Sequence, residues 1–155
     1  MRRKDREITD INIINDIMER CDCCRIALHD NPFPYIVPMN FGISRDNDKF
    51  TLYFHCASQG KKLDLIRKNP NVSFEMDTKH ILVGGENACD YTMDFESVCG
   101  NGIAEFVDDK QFALNLLMKK FTKKDSHSFS QKDLEAVTIF KISVTAITGK
   151  IHKTN

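Results

Sequence analysis

A segment with the residue types of an anion-binding site spans residues 55–63, which read His-Cys-Ala-Ser-Gln-Gly-Lys-Lys-Leu. A strand-like stretch precedes it and a helix-like stretch follows it, so Lys61 and Lys62 fall in the first turn of a predicted helix. The helix dipole already makes this end positive, and two lysines there cost roughly a few tenths of a kcal/mol if no anion binds. A phosphate bound to the free N–H groups of the same turn would reverse the sign of that energy.

Three neighbouring residues could assist such a site. Ser58 could add a hydroxyl donor, and Gly60 would let the chain approach a ligand closely. His55 ends the strand beside the loop, where a half-exposed imidazole could donate to a ligand or transfer a proton. The residues alone leave alternatives open: the lysines could be ordinary solvated side chains, and His55 could be purely structural.

The cysteines and carboxylates give weaker signals. Six cysteines without a secretory signal indicate reduced thiols rather than a disulfide framework. The Cys21–Cys24 cluster lacks the second ligand pair of a zinc site, so we interpret it as the start of a strand, and we predict no metal site. Asp90, Asp94 and Glu96 have no histidine partners for a transition metal, and we interpret them as a solvated strand face.

A hydrolase is poorly supported by this sequence. It contains no Gly-x-Ser-x-Gly elbow around a nucleophilic serine. Cys56 follows His55 directly, but adjacent residues of a strand point to opposite faces and cannot act together as nucleophile and base.

Composition sets the broad class of the protein. The chain has 155 residues, 41% of them hydrophobic, which is enough for one core in a single domain over residues 1–155. The net charge is zero, so no general affinity for nucleic acid or for an anionic membrane is expected. We expect no signal peptide and no transmembrane helix, and therefore a cytoplasmic protein.

Periodicity predicts a mainly β protein with helices at its periphery. One helix starts after Thr9 or Asp10, a second covers residues 60–69, and a third follows Asp108 or Asp109. A polar loop is expected at residues 123–131. The predicted strands are residues 24–30, 35–43, 50–56, 71–77, 91–108 and 136–150. Such strands with hairpin connections indicate a small antiparallel barrel.

Several residues indicate which faces of these elements are buried and where strands lie at an edge or bulge. Alternation in the third strand directs Phe50, Leu52 and Phe54 to the core. Pro38 should lie on an edge strand or at a bulge, because it cannot donate a hydrogen bond to a central ladder. Gly100 and Gly102 within a strand indicate a bulge or a close approach. The third helix is expected to bury a stripe formed by Phe112, Leu116, Leu117 and Phe121.

Four segments in order along nearly the whole chain resemble a known family. They are PYIVPMNFG, TLYFHCASQGKKLDLIRKNPNVSFE, ACDYTMDFESVCGNGIAEFV and FKISVTAITGKIHK. They resemble the nitroimidazole-resistance (Nim) branch of the pyridoxamine 5′-phosphate oxidase-like, FMN-binding split-barrel superfamily. The resemblance implies a six-stranded antiparallel split barrel that forms a homodimer with FMN at the subunit interface.

The resemblance also implies roles for individual residues. Lys61 and Lys62 match the basic pair that holds the FMN phosphate, and His55 would lie near the ring as a proton donor or substrate contact. The remaining implied flavin contacts are Ile36, Val37, Pro38, Met39 and Asn40 on a first strand, Phe54 and His55 on a second, and Ser97 near Gly100 on the long strand.

The activity implied by the resemblance is reduction of nitro-aromatic or related small acceptors by reduced FMN, with NAD(P)H as a possible donor. The substrate-binding arginine and histidine motif of true pyridoxamine phosphate oxidases has no counterpart in TGKIHK at residues 148–153. Oxidation of pyridoxamine phosphate is therefore not expected. The alternative is a non-catalytic flavin- or haem-binding module of the same fold.

Overall fold

Eight strands dominate the computed structural model, which describes residues 3–122 and 124–154. The strands are β1 Glu7–Ile8, β2 Cys24–Leu28, β3 Tyr35–Met39, β4 Gly42–Asp46, β5 Lys49–Ala57, β6 Asn71–Val83, β7 Thr92–Phe106 and β8 Val137–His152. The helices are α1 Ile11–Arg20, α2 Lys61–Lys68, α3 Lys110–Thr122 and α4 Gln131–Ala136.

The strands form one antiparallel sheet in the order β3-β2-β6-β7-β8-β5-β4, and the short β1 pairs with β8. The two ends of this order, β3 and β4, are separated in the chain only by Asn40 and Phe41. Three Cα–Cα steps span about 11 Å at most, so the sheet must curve until its two edges come close together. This closure confirms the predicted antiparallel split barrel, although the described residues contain eight strands rather than six.

The predicted strand at residues 35–43 is wrong, because it divides into β3 and β4. Phe41 and Gly42 are both buried, and consecutive residues of one straight strand cannot both point into the core. The Asn40 side chain fixes the bend by donating its Nδ2 hydrogen to the carbonyl oxygen of Asp22, at 2.8 Å. Pro38 lies on β3, which is an edge strand as predicted.

The barrel interior is filled by aromatic and aliphatic side chains from both halves of the sheet. The ring of Phe54 stacks on that of Phe140 with 5.0 Å between centroids, and Phe41 lies 6.4 Å from Phe54. Helix α1 adds three buried side chains, Ile14, Ile17 and Met18. Of the two predicted caps of α1, Thr9 and Asp10, the structure uses Asp10, whose carboxylate accepts a 2.8 Å hydrogen bond from the N–H of Asn12.

The buried face of α3 includes Leu117 as predicted, but otherwise it differs from the predicted one. Ala113, Leu114 and Leu117 are buried, whereas Phe112 and Phe121 are 48% and 46% exposed. The helix backbone lies directly against the sheet, and only the side chains beside that contact are covered.

The end of the predicted polar loop also differs from the structure, because Ser130 caps α4 with a reciprocal hydrogen-bond pair.

Glu96 is buried, so its assignment to a solvated strand face is wrong. Only 8% of Glu96 is exposed, and its carboxylate accepts hydrogen bonds from Lys79 at 2.8 Å and from the Nε of Arg20 at 3.2 Å. The pairing of β6 with β7 shifts register between Thr78 and Ile81, and Lys79 takes a φ of 57° there. The bulge thus places Lys79 where its ammonium group reaches Glu96.

We expect this cluster to make stability sensitive to acid. Burial acts to raise the pKa of Glu96, but the hydrogen bonds from Lys79 and Arg20 outweigh it and hold the pKa below the usual value of 4.5. The stabilisation is therefore present above pH 4.5 and is lost as the pH falls through the lower pKa of the folded state. Glu96→Gln should lower the free energy of unfolding by about 1 kcal/mol at pH 7, because both cations are partly solvated.

Urea unfolding at pH 7 and at pH 3 measures this effect. The deficit of Glu96→Gln relative to wild type should shrink at the lower pH. The matched control is Glu86→Gln, which alters an exposed carboxylate and should change stability equally little at both pH values. A deficit of the same size at pH 3 would refute the electrostatic role of Glu96.

Candidate functional site

Helix α2 begins at the predicted position, with Gly60 as its N-cap residue. Gly60 has a φ of 142°, a conformation that L residues rarely adopt, and no atom lies within 4 Å of a Cβ built on it. The first intrahelical hydrogen bond is donated by Leu63 to the Gly60 carbonyl oxygen at 2.9 Å. The N–H groups of Lys61 and Lys62 therefore precede the helical ladder, and the space beside Gly60 is open, as an anion site requires.

Lys61 joins this helix end to the β2–β3 connection. Its Nζ lies 2.6 Å from Oδ2 of Asp30 and 5.1 Å from the centre of the Tyr35 ring. The hydrogen bond from Lys61 and a second one from the N–H of Asn31 lower the pKa of Asp30. The side chain of Lys61 thus already has a fixed carboxylate partner, which the sequence did not indicate.

Lys62 differs from Lys61 in its partners. It is half-buried, and it forms no ion pair with any residue in the ranges 3–122 and 124–154. Burial raises the pKa of the nearby Cys56 thiol, and the positive charge of Lys62 offsets part of this rise. Lys62 is therefore the uncompensated cation of the pair.

The predicted flavin strand, β3, presents two different faces. Ile36 is 62% exposed and Pro38 is also exposed, whereas Val37 and Met39 pack against the core. The strand pairs with β2 alone, so the backbone groups along its other edge have no strand partner in the described structure. A planar ligand could therefore contact the backbone of this edge and the side chains of Ile36 and Pro38.

An open groove of about 590 Å³ crosses the outer face of β2, β6, β7 and β8 next to this edge. Its lining includes Arg25, Ile36, Glu75, Cys99, Gly100 and Thr148. The Oγ1 atom of Thr148 is buried and has no hydrogen-bond partner among the described residues. The groove thus combines an apolar floor with polar groups that remain available to a ligand or to another chain.

A second groove, of about 430 Å³, continues the first one towards α2. The two share Ala27, Ser73 and Asn101, and the second is also lined by His29 and Asp30. Because Asp30 holds Lys61, the start of α2 stands at one end of a continuous surface that reaches β3 and β7. The structure therefore brings Lys61, Ile36 and Gly100 to one surface, although they are far apart in the sequence.

His55 and Ser97, both predicted flavin contacts, lie far apart in one chain. His55 is exposed on β5 opposite Ile139 of β8, while Ser97 on β7 is opposite Lys150 of the same strand. A strand rises about 3.3 Å per residue, so the two positions are separated by roughly 35 Å along β8. Neither residue lines either groove.

The two remaining predicted contacts have different accessibility. The side chain of Phe54 is fully buried in the core, so only its backbone could reach a ligand. Ser58 is exposed in the loop before Gly60, where its hydroxyl is accessible.

The six thiols differ in their burial. All six cysteines are free. Burial raises the pKa of Cys21 to about 11 and that of Cys24 still further, which keeps both thiols protonated. Within the part of the chain that the structure describes, no group of three or more His, Cys, Asp or Glu side chains could hold a metal ion. Among the same residues, no helix combines the length and the apolar composition needed to cross a membrane.

Comparison with known proteins identifies the family. The protein-family model described as Pyridoxamine 5′-phosphate oxidase matches residues 12–151 of the 155-residue sequence. The chain belongs to this family. No match was found among curated protein sequences.

One solved relative has a description that matches the nitroimidazole-resistance branch. It comes from Bacteroides thetaiotaomicron VPI-5482 and is described as a candidate 5-nitroimidazole antibiotic resistance protein. The two chains are 34% identical over 94% of this chain and 86% of that one, with a TM-score of 0.80. The resemblance to this branch that the sequence indicates is therefore confirmed.

Two more distant structures share the fold of this family member. The flavocytochrome Anf3 from Azotobacter vinelandii is 18% identical over 99% of this chain and 72% of its own, with a TM-score of 0.82. The FAD and heme binding protein from Mycobacterium smegmatis is 16% identical over 96% and 74%, with a TM-score of 0.83. At these identities the comparison concerns the fold alone.

Proposed function

We propose that this protein is an FMN-dependent oxidoreductase that reduces nitro-aromatic or related small acceptors as a cytoplasmic homodimer. The observation that carries the proposal is the start of α2, where Lys61, Lys62 and free backbone N–H groups surround an open turn at Gly60. A 34% identical relative described as a candidate 5-nitroimidazole antibiotic resistance protein supports the choice of acceptor.

The residues present fit a phosphorylated flavin. The phosphate would lie at the N–H groups of Lys61 and Lys62, with Ser58 as an additional donor and Gly60 allowing close approach. The unpaired edge of β3 offers the polar ring atoms backbone hydrogen-bond partners over residues 36–40, except where Pro38 removes a donor. This combination of a cationic helix start and a neighbouring free strand edge matches the two chemically different halves of FMN.

The flavin, when bound, supplies the electron transfer, and the protein positions it and the acceptor. Ile36 and Pro38 would exclude water from one side of the ring. The imidazole of His55 would hold a proton that the reduced acceptor needs and would release it from a ring nitrogen. Its exposure on β5 leaves that nitrogen accessible.

The separation of the predicted contacts supports a homodimer. His55 and Ser97 lie at registers roughly 35 Å apart along β8, so one bound flavin could contact both only if they come from different subunits. The open grooves beside Ile36 would then be covered by the partner subunit. Sedimentation of the FMN-bound protein as a monomer would contradict this arrangement.

The visible spectrum of the purified protein tests the proposal. We expect a yellow protein, or one that quenches flavin fluorescence when titrated with FMN. NAD(P)H should then bleach the bound flavin, and a 5-nitroimidazole should restore its colour. Failure to bind FMN would refute the proposal, whereas binding without turnover by any donor would favour the non-catalytic flavin- or haem-binding module.

Replacement of the lysines should separate their contributions to FMN binding. Lys62→Ala should raise the Kd for FMN about tenfold to a hundredfold, because hydrogen bonds to charged groups contribute about 1.5–3 kcal/mol. Lys61→Ala should have a smaller effect because Asp30 already pairs with this side chain. Fluorescence titration at low and high salt measures both effects, which salt should weaken.

The matched control for both lysine variants is Lys68→Ala, at the other end of the same helix. It removes the same charge and should change the Kd by less than about twofold, because it is remote from the N–H groups of the first turn. Equal Kd values for the Lys62 and Lys68 variants would exclude the phosphate role.

A further inference from the structure

Asp30 is the carboxylate that pairs with a lysine of the proposed phosphate site. Its Oδ2 atom lies 2.6 Å from the Nζ of Lys61, and its Oδ1 atom accepts a 2.9 Å hydrogen bond from the N–H of Asn31. The side chain of Asp30 is 23% exposed, compared with 57% for Lys61. Both carboxylate oxygens are thus engaged, and the acid is held more firmly than the lysine it binds.

The ring of Tyr35 restricts Lys61 further. The ammonium group lies 5.1 Å from the ring centre, so its charge is shared between an aromatic face and a carboxylate. Both partners belong to the β2–β3 connection and the start of β3. In the ligand-free protein, Lys61 is therefore directed towards β3 and its charge is neutralised.

The other acid at this helix start has a different partner. Asp64 is bound by Arg67 at 3.0 Å and is 75% exposed. Asp30 is consequently the acid that acts on a lysine of the anion site, and Lys62 keeps the uncompensated charge.

We propose that Asp30 determines the phosphate affinity of this site by competing with the ligand for Lys61. This inference rests on the proposed function, because it assigns the phosphate of a flavin to the start of α2. A dianionic phosphate must share Lys61 with a fixed carboxylate, so part of the Lys61–Asp30 ion pair is lost when the phosphate binds, and this loss weakens binding. A flavin without a phosphate leaves this ion pair intact. Asp30 thus sets the ratio of FMN affinity to riboflavin affinity and keeps FMN exchangeable.

Asp30→Asn tests this role because the amide keeps the shape of the side chain and its acceptor oxygen. Fluorescence titration should show FMN binding about five- to tenfold tighter than in wild type, because the phosphate no longer has to displace the Asp30 carboxylate from Lys61. The Kd for riboflavin should change by less than about twofold. Circular dichroism of the variant should match that of wild type.

A double-mutant cycle with Lys61→Met identifies the mechanism. In the Lys61→Met background, Asp30→Asn should alter the Kd for FMN by no more than about twofold, because the lysine for which it competes is absent. The matched control is Asp64→Asn, which removes an acid from the same helix start without touching Lys61 and should also have an effect below about twofold.

The outcomes separate this inference from the proposed function. If wild type binds FMN but Asp30→Asn binds it no more tightly, the competition is refuted and the phosphate site remains. An equal gain from Asp64→Asn, or a gain that persists without Lys61, would also refute it. If neither wild type nor Asp30→Asn binds FMN, the proposed function fails and the role of Asp30 fails with it.

Discussion

Phe54→Ala is expected to lower the free energy of unfolding by about 3–5 kcal/mol, the range for removing a buried aromatic ring. The ring is fully buried and lies between Phe140 at 5.0 Å and Phe41 at 6.4 Å. Phe54 belongs to β5, Phe140 to β8 and Phe41 to the link between β3 and β4. Loss of the central ring would therefore leave a cavity where the two edges of the sheet close. Urea unfolding monitored by circular dichroism measures the change.

The matched control for this variant is Phe33→Ala, since Phe33 is 77% exposed. It removes the same atoms but should change stability by less than about 0.5 kcal/mol. Similar losses for the two variants would contradict the packing role of Phe54. Because His55 and the 58–62 turn follow Phe54 directly, we also expect Phe54→Ala to weaken FMN binding.

Gly42→Ala is expected to destabilise the fold by about 2–3 kcal/mol, although it adds a single methyl group. A Cβ at residue 42 would lie 2.8 Å from the backbone N of Leu117 and 2.9 Å from the carbonyl carbon of Leu116. Both atoms belong to the backbone of α3, so the clash cannot be relieved by rotating a side chain. The helix would have to move away from β4, which would expose Leu117.

Thermal unfolding of Gly42→Ala and Gly84→Ala tests this contact. A Cβ at residue 84 would have the ring of Tyr91 as its nearest neighbour at 3.5 Å, which is an ordinary contact. The control should therefore keep the wild-type midpoint within a degree or two, whereas Gly42→Ala should lose roughly 5–10 °C. Equal midpoints would show that α3 does not rest on the backbone of β4.

The burial of Glu96 and the buried face of α3 could not be predicted from the sequence. Alternation along the chain places Glu96 on an outward face, but it does not reveal the bulge that brings Lys79 over the carboxylate. Arg20 reaches Glu96 from the end of α1, across a separation in sequence that no local pattern covers. In α3, four apolar positions fit a helical stripe, yet the close approach to Gly42 selects a different face and leaves Phe112 exposed.

The sequence predicts the candidate site because its signal is local. A strand, a glycine and two lysines at the start of a helix follow one another within a single segment, and the same residues form β5, the Gly60 cap and α2 in the structure. The resemblance to the nitroimidazole-resistance branch depended on this segment as well. The ion pair between Asp30 and Lys61 could not be predicted, because nothing in the sequence around Asp30 points to Lys61.

The sequence by itself determined the family, the antiparallel strands and the presence of two cations at a helix start. The family follows from the resemblance of four segments to the nitroimidazole-resistance branch. The strands and the two cations follow from periodicity, turn chemistry and charge within short stretches of chain. Only the tertiary structure decided that β3 and β4 close the sheet, that Lys61 is neutralised while Lys62 is not, and that His55 and Ser97 lie far apart. The physical reason is that the curvature of the sheet, the ion pairs and the distances between side chains depend on contacts between residues that are far apart in the sequence. Strand register and packing determine these contacts, and the local sequence does not encode them.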